Sequence, residues 1–150
     1  MTSAWHALLA PLPDDARPEV KPVLPPDLAG RPESAAVAGW RTLSLHLSAG
    51  ADGLRHVMAT LDASGRVLSA GDTVLYRQPE GSQVRWRQES LGGRLEEDGT
   101  FRGTRWRSVS VGPLDSDETD TLEQERFEPS ADEAVRLKAL VAELIRRAGS

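Results

Sequence analysis

QVRWRQESLGGRLEEDGTFRGTRWRSVSV, residues 83–111, decides the fold. Asp98-Gly99 near its centre is a strong hairpin signal, because glycine reaches the positive φ of a tight turn without a Cβ clash. The residues on either side alternate in character, and Arg-Trp-Arg occurs once on each arm, at 85–87 and 105–107. The stretch reads as a long β-hairpin, with Gly92-Gly93 breaking its first arm. Neighbouring side chains on a strand point to opposite faces, so tryptophan and arginine are separated. The expected arrangement turns Trp86 and Trp106 inward under a helix. The arginines then turn outward and pair across strands with Glu89, Glu96, Glu123 and Glu125.

Further strands flank the hairpin. In RTLSLHLS (41–48), Leu43, Leu45 and Leu47 share one face, the mark of a half-buried strand. LRHVMATL (54–61) and RVLSAGDTVLYRQ (66–78) follow, separated by an Asp-Ala-Ser-Gly turn. Alternation fails across Gly71-Asp72, which predicts a bulge or bend there. TLEQERFE (121–128) reads as a charged edge strand. Ser130-Ala-Asp-Glu133 is a capping box. It opens a helix that runs to about Ala148, with Leu137, Leu140, Val141, Leu144, Ile145 and Ala148 as its apolar stripe. Burying six such side chains contributes on the order of 10 kcal/mol before chain entropy is subtracted.

The expected fold class is therefore α+β: a curved antiparallel meander of six to seven strands with one long C-terminal helix packed on one face. Residues 40–150 form a single domain in this reading. Residues 1–39 form a Pro-rich N-terminal arm packed on it, since seven of the ten prolines fall before residue 33. Short helices are expected over Ala4–Ala10, capped by Ser3, and from Pro32, closed by Gly39. Val20, Val23, Leu24 and Leu28 are expected to hold the arm down.

Composition narrows the function classes. Cysteine is absent, which excludes disulfides, thiol nucleophiles and thiolate metal sites and fits a reducing compartment. No window approaches the ~18–20 apolar residues of a membrane span, and the N-terminus lacks a basic leader and an A-x-A-like exit, so a cytoplasmic location is expected. The net charge is −5, although residues 41–111 carry ten basic and eight acidic groups. The overall acidity argues against a dedicated nucleic-acid binder.

No phosphate-binding loop, zinc-protease motif, EF-hand or nucleophile elbow is present. His46 and His56 fall on neighbouring strands. Ser44 lies two residues from His46, too far along the backbone for a ready nucleophile–base pair. Asp72 or Glu89 would be needed as a third metal ligand. Asp115, Asp117, Glu118 and Asp120 lack the glycine and terminal glutamate of a calcium loop. No catalytic residue, metal ligand or cofactor is assigned. The candidate ligand-binding residues are Trp86, Trp106, Tyr76, His46, His56, Arg85 and Arg105.

In element order, an antiparallel meander followed by one long helix, roughly residues 40–148 resemble helix-grip and related cone-shaped pocket folds. The resemblance implies an apolar cavity between helix and sheet, lined by Trp86 or Trp106 with Tyr76, Met58 and Leu140. Three functions follow, in order of preference. The first is a non-enzymatic binding or accessory domain that presents a sheet face to a protein partner or to a second copy as a homodimer. The second is a pocket protein for an apolar small molecule, with enzymatic use of His46 or His56. The third is a binder of anions or single-stranded nucleic acid through the arginines and tryptophans of the hairpin.

Overall fold

The computed structural model describes residues 8–24, 32–50, 52–115 and 118–149. Seven strands form one antiparallel sheet in chain order: β1 (Glu19–Pro22), β2 (Arg41–Ser48), β3 (Gly53–Leu61), β4 (Val67–Glu80), β5 (Gln83–Leu95), β6 (Phe101–Pro113) and β7 (Asp120–Phe127). A 3-10 helix spans Pro32–Val37, and the helix α1 spans Ala131–Ala148. The meander and the single C-terminal helix agree with the expectation from sequence. The helix expected over 4–10 lies largely outside the described residues; Leu8 and Leu9 form a turn, with Leu9 at φ 63°.

Two turns share one device. Asp62 and Glu96 each close a short loop through their backbone amides, to Arg66 and Thr100 respectively. Gly65 and Gly99 take the left-handed position, at φ 90° and 87°. The Asp62 and Asp98 side chains accept from amides two residues on, which pre-forms each turn. The Asp98-Gly99 tip is thus a three-residue loop with a glycine bulge, one residue longer than a minimal hairpin turn.

Two strand-level expectations are corrected. Gly71-Asp72 makes no bulge: β4 pairs without interruption with Met58 and Val57 on one side and with Gly92 and Leu91 on the other. Gly92-Gly93 does not break β5, and the glycines allow close packing. A Cβ on Gly93 would stand 2.4 Å from the Gly103 Cα, and the Phe101 ring occupies the space above Gly103. The register shifts lie elsewhere, at Thr60/Leu61 and Val109/Ser110. The seventh strand comes from the Pro-rich stretch. Pro22 is tolerated in β1 because it is an edge strand.

The core lies between the sheet and α1. Leu43, Val57, Val74 and Leu91 from the sheet meet Leu137, Val141 and Leu144 from the helix, all at 2% exposure or less. Leu8, Leu9 and Leu12 complete this cluster. Val20 and Val23, expected to anchor the arm, are exposed. The capping box forms as read: Ser130 Oγ accepts from the Glu133 amide at 3.1 Å, and Glu133 Oε1 accepts from the Ser130 amide at 2.9 Å. Among the described residues, no helix is long and apolar enough to cross a membrane. Leu144→Ala is expected to cost about 3 kcal/mol, the usual range for an aliphatic cavity in a closed core, measured as a lower denaturation midpoint with an unchanged slope in urea.

Candidate binding face opposite the helix

Strand register assigns every side chain of β2–β7 to one of two faces. On the helix side one row across the sheet reads Leu47, Arg55, Val74, Glu89, Arg107, Glu125, and the next reads Leu45, Val57, Asp72, Leu91, Arg105, Phe127. Arg85 and Arg87 share this side. The arginines of both Arg-Trp-Arg repeats therefore face the helix layer, and Trp86 and Trp106 face away from it. This reverses the expected orientation. Of the expected partners, Glu89 meets Arg105 and Arg107, but on the helix side, and Arg85 pairs with Glu80 instead.

Burying so many charges requires compensation. Asp72 is fully buried and takes three donors: Arg55 Nε at 3.0 Å, Arg55 Nη2 at 2.8 Å and the Leu9 amide at 2.7 Å. Arg55 Nη2 also donates to the Ala10 carbonyl at 2.8 Å. Glu89, equally buried, pairs with Arg105 and stands 3.5 Å from Arg107. Arg105 Nε lies 2.8 Å from Glu133, so the capping-box glutamate also ties the helix start to β6. The Arg105 guanidinium sits 5.2 Å from the Phe127 ring. From the helix, Arg136 donates to the Leu9 carbonyl and Arg147 to the carbonyls of Pro13 and Ala16. Hydrogen bonds from Arg146 and Arg147 hold the Glu143 carboxyl down at about 2.

The opposite face has a different composition. Its central row reads His46, His56, Thr73, Ser90, Trp106, Arg126. The His46 and His56 rings stack at 4.3 Å with 7° between planes. Thr73 donates to Ser90 at 3.1 Å. Trp106 Nε1 is buried and has no acceptor among the described residues. Two rows away, Trp86 pairs with Arg77, whose guanidinium lies 5.7 Å from the indole centroid. These two residues border a cleft of about 280 Å³ with Leu54, Leu75 and Asp52. Leu54 is 63% exposed there. Within strands β2–β7 this face carries Arg77, Arg94, Arg102 and Arg126 and no aspartate or glutamate. Asp72, Glu80, Glu89, Asp120, Glu123 and Glu125 all fall on the helix side.

The seven candidate residues are thus divided. His46, His56, Trp86 and Trp106 share the open face, whereas Tyr76, Arg85 and Arg105 lie on the helix side. Of the set implied by the helix-grip resemblance, Tyr76 and Leu140 lie on the helix side, and Met58, Trp86 and Trp106 on the other, so the set does not line one cavity. Sequence reading passed over Arg77 and Arg126, the cations beside the two tryptophans. The two-residue turn at Gly81-Ser82 contained the signal for Arg77, because it fixes the pairing of Arg77 with Trp86.

Burial and the neighbouring His46 push the His56 imidazole below its ordinary value, and the Asp72 carboxylate opposes them. With the folded value depressed, the unfolded chain binds the proton first. Stability from this group is complete above about pH 6.5 and declines as pH falls through the lower folded value. The melting temperature is expected to fall between pH 7.5 and pH 5.5, and His56→Gln to flatten that dependence. Arg55→Met should cost about 3–5 kcal/mol by leaving Asp72 buried without its cation. It should also expose the segment at residues 8–16 to limited proteolysis before the sheet is cut.

Comparison of the chain with protein-family models, with curated proteins and with solved structures returns no match.

Proposed function

We propose that this protein is a binding domain whose open sheet face receives an anionic partner. The segregation of strand charge carries the reading. The chain as a whole is acidic, yet the face left uncovered by α1 holds four strand arginines and no strand carboxylate. Carboxylates on the same face would neutralise those cations and repel an anion, and their removal to the helix side leaves a local positive potential. Arg102 reaches Glu96 of the hairpin loop at 3.4 Å; Arg77 is engaged by an indole ring. The partly buried rings of Trp86 and Trp106 add flat apolar area beside the cations, a combination enriched where surfaces bind.

Fluorescein-labelled dextran sulfate is a suitable probe. At pH 7.5 and low salt it is expected to bind the acidic protein, with affinity that falls as salt is added. Arg77→Ala/Arg126→Ala should weaken binding by about tenfold, and the charge-matched control Arg41→Ala/Arg146→Ala should leave it nearly unchanged. Equal loss in both double variants, or no binding by the parent protein, would overturn the reading.

A further inference from the structure

We infer that the anion received on the open face is single-stranded nucleic acid; this inference rests on the reading above and names its ligand class. The argument is geometric. Each tryptophan has an arginine beside it on the neighbouring strand and in the same row: Trp86 with Arg77, and Trp106 with Arg126. The two register pairs are displaced by four residues, which is about 14 Å along the sheet, and at Trp86 the Arg77 guanidinium lies by the ring. A further displacement of similar length beyond Trp106 brings Arg94 and Arg102, paired with each other across β5 and β6. The track from Trp86 to Arg94 covers eight residues of one strand, about 27 Å, within reach of a short stretch of single strand.

Its units suit the ligand. A nucleobase offers a π-face to an indole and its phosphate meets the adjacent guanidinium, which is how sequence-tolerant single-strand binders work. Between Trp106 and Arg94 the face is bare at Gly71 and Gly92, which are paired side by side. A Cβ at either would touch little but neighbouring backbone, so the face has room for a ring above the sheet. Ser90, Thr73 and Thr104 border this gap with hydroxyls that can serve sugar and base edges. A broad sheet suits splayed bases better than a duplex, whose bases are hidden in grooves. The carboxylates on the helix side repel a phosphate chain, so the strand is confined to one face.

The test is fluorescence anisotropy with labelled oligothymidylate and oligouridylate dodecamers. Binding is expected at low salt, with a steep loss as salt rises. Arg77→Ala/Arg126→Ala should make the log–log salt slope shallower by roughly one unit or more. Trp106→Ala should lose about tenfold or more in affinity, and Trp106→Phe, which keeps a π-face, should retain most of it. A duplex of equal length should bind more weakly. If dextran sulfate binds and neither dodecamer does, the nucleic-acid inference fails, the anionic-face reading stands, and a sulfated glycan becomes the better occupant. If neither probe binds, both fail. Dodecamer binding that is unchanged in Trp106→Ala, or equalled by duplex, also overturns the inference.

Discussion

The Asp72 carboxylate is the constraint on which the arrangement turns. It sits at zero exposure on the apolar side of the central strand β4, where an isolated charge would be intolerable. Its two contacts to Arg55 join β4 to β3, and its contact to the Leu9 amide draws the N-terminal segment beneath the helix. Leu8, Leu9 and Leu12 then join the core that α1 closes. A hydrophobic residue at position 72 would pack the sheet but supply no acceptor for that amide. The ion pair thus specifies which segment closes the core, a role distinct from adding stability, which a buried pair does poorly.

Glu89 has the corresponding role on β5. With Arg105 and Glu133 it forms a chain of charges from the centre of the sheet to the first turn of α1. The two buried carboxylates explain why the inner face is crowded with arginine and why the outer face can do without acids. Charge was sorted between the faces by period-two alternation, and the sorting creates an outer surface unlike the net charge of the chain.

Much of the fold is legible in the residues. Alternation in RTLSLHLS, the Asp-x-x-Gly and Asp-Gly turns, the capping box and the stripe from Leu137 to Ala148 all mean what propensity and period say they mean. The face that receives the helix is harder to read. Tryptophan is the most apolar member of Arg-Trp-Arg, so burial alone favours turning it inward. The odd positions of the hairpin, however, also include Leu91, Leu95, Phe101, Val109 and Val111, and together these outweigh two indoles. Asp72 misled for a related reason: a charge on an apolar face breaks the alternation as a bend would, and only its partner at Arg55 distinguishes the two. β1 was hidden because its prolines mask a four-residue edge. The candidate site was legible by residue type and illegible by grouping, since which residues share a face depends on register carried through several turns.

The order of contacts along the chain has a consequence for how the molecule is made. Every strand pairs with its neighbour in sequence, so the sheet can assemble strand by strand behind the ribosome, with little loop-closure entropy to overcome at any step. The N-terminal segment is the exception. Its carbonyls at Pro13 and Ala16 wait for Arg147, more than 130 residues later. Residues 8–16 are made before the sheet and are therefore among the last to be seated. Until α1 docks, the apolar face of the growing sheet stays open along the side that carries Leu43, Val57 and Val74.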